Sequence, residues 1–337
     1  MAQWRLTTLL VSQRVGSTFL FSDFSSFLYD KPYMLLLTHE ECIQHNVPEG
    51  HPERPARLNY VLRYLEDVGF TIDHPLSPAL PIPADLVNRA HHHTYLERLE
   101  EGVPLDGLKS LDPDTWMSPK TLDAACLAAG AVWQGVSGVL SGDVNRVFCA
   151  VRPPGHHAEF NTAMGFCLLN SVAIAAINAV SLPGIDRVAI LDFDVHHGNG
   201  TVDMCRDYAE ILVCSSFQHP FYPNRFHDVP NSNIVNTPLS AGSNGDDFRR
   251  AISDSWWAAI EAHRPDLILI SAGFDGHRSD PLAQLNLQES DYRWITKEII
   301  ALANEYSEGR IVSTLEGGYD LNALANSVLV HLEELAT

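Results

Sequence analysis

Asp192, Asp194 and His196, within the stretch Asp192-Phe-Asp-Val-His-His197, are the side chains of this sequence best suited to holding a cation. Carboxylate oxygen and imidazole nitrogen are zinc ligands at about 2.0–2.2 Å. The stretch follows Arg187-Val-Ala-Ile-Leu191, which reads as a buried strand, and precedes Gly-Asn-Gly-Thr, which reads as a turn. In an extended chain alternate residues project to one side, so Asp192, Asp194 and His196 would share a face. The carboxyl end of a parallel strand is also where open α/β sheets bind their ligands. A catalytic zinc takes three protein ligands and keeps one position open. This stretch can supply two, and the third must come from elsewhere.

Three further apolar runs lead into loops of the same kind. Residues 147–151 precede Arg152-Pro-Pro-Gly-His156-His157-Ala158, where two adjacent histidines follow a rigid turn. Histidine titrates near neutral pH, so such a pair can act as base, acid and electrostatic support. The other cluster, His91-His92-His93, reads as structural. Residues 267–271 precede Ala272-Gly-Phe-Asp275-Gly-His277, which makes Asp275 the candidate third ligand. Alone it would read as a turn aspartate. A two-metal site would want another carboxylate two positions on, and Gly276 and His277 stand there instead, which favours one ion. Residues 311–315 precede Glu316-Gly-Gly-Tyr319-Asp, whose phenol could hydrogen-bond a developing oxyanion.

The elements that must position these groups alternate between strand and helix from Met34 onward. Residues 34–39, 147–151, 188–191, 211–215, 267–271 and 311–315 read as core strands. Residues 54–69, 83–90, 94–101, 118–141, 168–180, 248–263 and 292–305 read as helices. Apolar strands alternating with helices imply a parallel sheet covered on both faces, and no linker or repeat marks a second domain. The expectation is one α/β domain over residues 34–337. Residues 1–33 contain Arg5, Arg14 and several serines but no acid before Asp23, and no apolar run there reaches the ~18 residues of a membrane span. They read as a poorly ordered, leader-like extension, which keeps organellar import open.

With 22 Lys+Arg against 42 Asp+Glu the formal charge is −20, and no basic cluster stands out, which argues against a nucleic-acid binder. Cys42, Cys126, Cys149, Cys167, Cys205 and Cys214 are scattered without a Cys-x-x-Cys pair. They read as reduced core residues of a cytoplasmic protein. No membrane partner is expected, and the oligomeric state is not readable.

Taken together the motifs resemble the zinc-dependent histone deacetylase family, of the arginase–deacetylase fold. The resemblance rests on GHPERPARL at 50–58, LDPDTWMSP at 111–119, RPPGHHA at 152–158 and GFCLLNSVAIAA at 165–176. It continues through LDFDVHHGNGT at 191–201, SAGFDGHRSDPL at 271–282 and LEGGYD at 315–320. HPERP and HHGNG look like class II and the bacterial histone deacetylase-like amidohydrolases.

The resemblance implies a three-layer domain with a mostly parallel sheet of about eight strands. It implies one catalytic zinc on Asp194, His196 and Asp275, with His157 as base and acid. It also implies His156 oriented by Asp192, so the first carboxylate of the stretch is no zinc ligand, and Tyr319 on the substrate carbonyl. Asn199 stands where class I members carry an aspartate beside the other histidine. A structural potassium ion is implied on Asp192, Asp194, His196, Ser215 and Ser216, largely through backbone oxygens. Gly165-Phe166 and Phe221-Tyr222 match the walls of an acyl-lysine channel, although such aromatics also suit a plain core.

Leu282 stands where polyamine-specific relatives carry an acid, which implies an uncharged channel mouth. One departure concerns Asn224-Arg-Phe-His-Asp-Val-Pro-Asn231, where the family usually has a Gly-Thr-Gly type loop. The expected activity is hydrolysis of an N-acyl amide, most naturally N-acetyl-lysine in a protein or peptide. The competing readings are an acetylpolyamine or other small-molecule deacylase, and an inactive acyl-lysine binder.

Overall fold

In the computed structural model residues 34–337 are described, and the expectations for residues 1–33 lie outside them. The strands in chain order are β1 Met34–Thr38, β2 Leu76–Pro78, β3 Lys109–Ser110, β4 Trp116–Met117 and β5 Arg146–Cys149. They continue with β6 Val188–Asp192, β7 Ile211–Gln218, β8 Ile234–Leu239, β9 Leu267–Ala272 and β10 Ile311–Leu315. Strands β3 and β4 pair as a small antiparallel ribbon. The other eight form one sheet in the order β2-β1-β5-β10-β9-β6-β7-β8, with every pairing parallel.

Every residue of β5, β6, β7, β9 and β10 is buried, so both faces of the central sheet are covered. The helix Thr121–Ser141 lies against β1, β5 and β10, and Ser171–Ala179 lies against β6 and β9. By length and composition Thr121–Ser141 could cross a membrane. Here its apolar side chains are core, with Val132, Val136 and Val139 nearly fully buried. This is the architecture expected from the sequence, with a sheet that is wholly rather than mostly parallel.

Three local expectations need correction. Strands β2 and β8 form the two edges of the sheet and were not anticipated. Leu76–Pro78 is too short to show alternation, and Ile234–Leu239 carries Pro238, which an edge strand tolerates because one side of it needs no partner. Gly198-Asn-Gly-Thr is not simply a turn, since Asn199–Cys205 is helical and Val202 N–H donates to the Gly198 carbonyl at 3.0 Å. Finally, β6 stops at Asp192, so alternation does not place Asp194 and His196. Instead Asp194 N–H donates to Asp192 Oδ1 at 3.1 Å and His196 N–H to Asp194 Oδ1 at 2.9 Å. These successive side-chain-to-backbone bonds fold the stretch over the end of the strand.

Behind that edge lies a buried charge cluster. Arg152 binds both carboxylate oxygens of Glu53, at 2.6 and 2.8 Å, and Arg57 donates to Glu53 Oε1 at 3.1 Å. Burial opposes charge on Glu53, but Arg152 and His45 outweigh it and hold the carboxyl well below its usual pKa. Arg57 also donates to the carbonyls of Glu316 and Gly318, both at 2.6 Å, and so grips the turn that carries Tyr319. Glu53→Ala would leave two fully buried guanidinium groups without their anion. We expect a loss of about 3–5 kcal/mol in denaturant unfolding; a loss within about 0.5 kcal/mol, typical of surface changes, would refute the role of this cluster.

Candidate metal centre and channel

All the loops singled out from the sequence leave the same edge of the sheet. The loop after β6 carries Asp194 and His196, that after β9 carries Asp275, that after β5 carries the histidine pair, and that after β10 carries Tyr319. Parallel strands make this convergence automatic, since all their carboxyl ends lie on one side.

Ligand atoms of Asp194, His196 and Asp275 lie within 4.8 Å of one another, and all three residues are buried. His196 Nδ1 is 3.1 Å from Asp194 Oδ1 and 3.1 Å from Asp275 Oδ2. The second carboxylate oxygens are tied down: Gly317 N–H donates to Asp194 Oδ2 and Val195 N–H to Asp275 Oδ1, each at 2.9 Å. A Cβ at Gly273 would lie 2.0 Å from Asp194 Oδ2, and one at Gly317 would lie 2.1 Å from Asp275 Oδ2. Glycine at these positions is therefore required for the carboxylates to approach. Burial disfavours a charged imidazole, yet the two carboxylates raise the His196 pKa to about 10. Two buried carboxylates gathered around one imidazole suit a divalent cation, and two oxygens with one nitrogen suit zinc.

The two adjacent histidines sit beside this cluster in different environments. His156 Nδ1 is 2.9 Å from Asp192 Oδ2, and His157 Nδ1 is 2.6 Å from Asn199 Oδ1. Burial alone would lower the His156 pKa, but Asp192 and Asp194 hold it well above the usual value. For His157, burial and the neighbouring His156 and His196 act together and push it well below. The surroundings thus push the two imidazoles in opposite directions, His156 towards the cation and His157 towards the neutral form, the division of labour an acid–base site needs. Glu316 Oε2 accepts from the backbone N–H of Gly155 at 2.7 Å and of His156 at 3.2 Å, fixing the loop to the end of β10.

A cavity of about 210 Å³ leads down to His157 and His196 and is lined by Gly165, Phe166, Phe221, Tyr222, Leu282, Tyr319 and Asp114. Phe221 stacks on His196 at 5.4 Å between ring centres, and Tyr222 meets His157 edge-on at 5.3 Å. Phe166 has a φ of +69°, a left-handed backbone that is costly for an aromatic residue. Its N–H is held by Thr115 Oγ1 at 3.0 Å, and its ring faces Tyr319 edge-on at 6.0 Å. Tyr319 lies under the Arg57 guanidinium at 4.8 Å, and its N–H donates to Asp280 Oδ2 at 2.7 Å.

Ser215 and Ser216 are buried on β7, with Ser215 in register beside Asp192. His91 is structural, its Nε2 accepting from Asn170 N–H at 3.1 Å. Every candidate residue named from the sequence therefore lies at or just beneath this edge. Asp114, Glu159, Arg225, Asp280 and Glu316 were missed. Asp114, Asp280 and Glu316 lie within recognised motifs, so their position was available as a signal; the partners of Glu159 and Arg225 were not.

A histone deacetylase domain model matches residues 51–335. An uncharacterised protein of Synechocystis is 41% identical over 306 residues, covering 88% of this chain and 97% of that protein. The histone deacetylase-like amidohydrolase of Pseudomonas aeruginosa is 32% identical, with 90% and 82% covered. Among solved structures, the crystal structure of an HDA15 HD domain superposes with a TM-score of 0.84 at 30% identity, covering 91% of this chain and 88% of that one.

Proposed function

The chain belongs to the histone deacetylase family, and from that premise we propose that it is a zinc-dependent deacetylase that hydrolyses N-acetyl-lysine in a protein or peptide. The observation that carries this reading is the pair of oppositely tuned histidines beside a buried Asp194–His196–Asp275 cluster, at the foot of an apolar channel. Zinc on those three residues would polarise the acyl oxygen and bring the pKa of water from about 15.7 towards about 7. A potassium ion on Asp192, Asp194, His196, Ser215 and Ser216 is part of the same proposal. Its donors would be oxygens, as a hard cation prefers.

The protein's own groups carry the remaining steps. His157, neutral and with Nδ1 engaged by Asn199, takes a proton from water on Nε2 as the oxygen bonds to the acyl carbon. His156, kept cationic by Asp192, faces the negative charge that builds up. The Tyr319 hydroxyl donates to the acyl oxygen as it becomes an oxyanion. When the C–N bond breaks, His157 returns its proton to the departing amine, leaving acetate and free lysine. Phe166, Phe221, Tyr222 and Leu282 enclose the aliphatic stem and keep bulk water away.

Asp114 favours a second reading. Its carboxylate lines the channel and, through burial and the nearby Asp112, has a pKa raised to about 6. An acid there could meet a second amine on an acetylated polyamine. Turnover of an acetyl-lysine peptide compared with acetylputrescine and acetylspermidine separates the two. Higher kcat/KM for the polyamines overturns the lysine reading, and no turnover of any substrate by zinc-replete protein leaves the inactive binder. The phenol has its own test: Tyr319→Phe should lower kcat by about 10²–10³ without changing zinc content. A rate near that of the wild type would remove Tyr319 from the mechanism. None of the six cysteines is paired, which supports a reducing compartment such as the cytoplasm.

A further inference from the structure

The loop that departs from the family pattern returns to the active site through one side chain. Arg225 donates from Nε to Glu159 Oε1 at 2.7 Å and from Nη2 to Glu159 Oε2 at 2.8 Å. Glu159, only 5% exposed, accepts on that same Oε1 from Asn199 Nδ2 at 2.7 Å. Asn199 Oδ1 then meets His157 Nδ1 at 2.6 Å. A continuous chain of bonds thus runs from an outer loop to the imidazole beside the channel.

The polarity of each link follows from the one before. A carboxylate held on both oxygens by a guanidinium offers only lone pairs, so it must meet the NH₂ end of the Asn199 amide. The amide oxygen is then turned to His157 and can only accept. That requires the imidazole proton on Nδ1 and leaves the lone pair on Nε2. With the amide reversed, Nδ2 would donate to Nδ1 and the proton would move to Nε2, where it would block acceptance of a proton from water.

We propose that Arg225 is a positioning residue that, through Glu159 and Asn199, selects the Nδ1–H tautomer of His157 and so makes its Nε2 a base. The inference rests on the reading of His157 as the base of the proposed hydrolysis. The loop is shaped to present this one side chain. Asn224 and Phe226, on either side, have φ of +54° and +56°, which turns the chain sharply at Arg225. The Phe226 ring lies under the guanidinium groups of Arg206, at 4.9 Å, and of Arg225, at 5.3 Å. Its carbonyl accepts from Asn236 Nδ2 at 3.4 Å, while Asn236 Oδ1 lies 2.8 Å from His197 Nε2. His197 thus helps hold the loop. The Arg225 side chain itself is 52% exposed. Glu159 is buried, so R225A should cost some stability by leaving that carboxylate without its cation, and R225K, which keeps the charge, is the variant that should fold as the wild type does.

The experiment uses the full-length, zinc-loaded protein as wild type, R225A, R225K, E159Q and the R225A/E159Q double variant. R225A should lower kcat by about 10-fold with KM changed by less than about 2-fold. R225K, a single donor group in place of the fork, should recover part of the loss. The double variant should be no slower than the worse single one, because both changes break the same chain. Independently of turnover, two-bond ¹⁵N–¹H spectra of histidine-labelled protein report the tautomer, with His157 assigned by its loss in H157A. The wild type should show Nδ1–H, and R225A a mixture with Nε2–H. An unchanged tautomer in R225A overturns the proposal whatever the rate does. A wild type that shows Nδ1–H but hydrolyses no acetyl-lysine overturns the hydrolysis reading instead, and the R225A spectrum still decides the role of Arg225.

Discussion

Replacing His157 with alanine should reduce kcat by about 10²–10⁴, the usual contribution of a positioned general base, while zinc stays bound at full stoichiometry. The two halves of this expectation come from different parts of the geometry. His157 is held by Asn199 and by ring contacts with Tyr222 and His196, and it makes no hydrogen bond to Asp194 or Asp275. Removing it leaves the bonds that arrange those carboxylates intact, namely those from Gly317, Val195 and His196. What is lost is an imidazole at the foot of the channel whose surroundings push it towards the neutral form. Saturation kinetics with metal analysis of the same sample check this. A variant that keeps more than roughly a tenth of the wild-type rate would assign the base elsewhere.

Asp275→Ala should remove both zinc and activity. Loss of an outer partner of a metal ligand already costs about 10–100-fold in affinity, so loss of a ligand should exceed about 100-fold. The damage extends further, because Asp275 Oδ1 also accepts the Val195 N–H, between Asp194 and His196. The alanine variant thus loosens the turn that presents the other two ligands. Asp275→Asn keeps an oxygen for Val195 but carries no charge, so it separates the two effects. Metal content after dialysis against a graded chelator measures both variants. Retention of one zinc per chain by Asp275→Ala would show that this cluster is not the metal centre.

The sequence made the interior of the sheet and its loaded edge legible, because both rest on local signals. Val188–Leu191 and Leu267–Ile270 are unbroken apolar runs, Ile311–Leu315 is interrupted only by Ser313 and Thr314, and each is followed within a few residues by a carboxylate. Residue types alone could not separate Asp192 from Asp194, as both are aspartates in one short stretch. The separation shows only in space, where Asp192 Oδ2 faces His156 and Asp194 lies against His196. The edge strands were hidden for the opposite reason: Leu76–Pro78 and Ile234–Leu239 are half exposed and carry no strong pattern. Long-range polar links leave no local mark at all. Arg225 reaches Glu159 across 66 residues, and Arg152 reaches Glu53 across 99. A lone arginine in a polar loop reads as solvated surface until the fold brings its partner alongside.

The wholly parallel sheet also sets the order in which the protein can mature. At its centre β1 pairs β5, β5 pairs β10 and β6 pairs β9, strands distant in the chain, and His196 meets Asp275 only across 79 residues, once β6 and β9 lie side by side. Such non-local pairing forms late. In small zinc modules the ion drives folding, whereas an ion bound at this cluster would enter a pocket that is already built. Asp194 and Asp275 are each 1% exposed and sealed beneath His196, which lines the channel. The way in for such an ion would therefore be the substrate's way in, and anything lodged in the channel would also lock the ion in place.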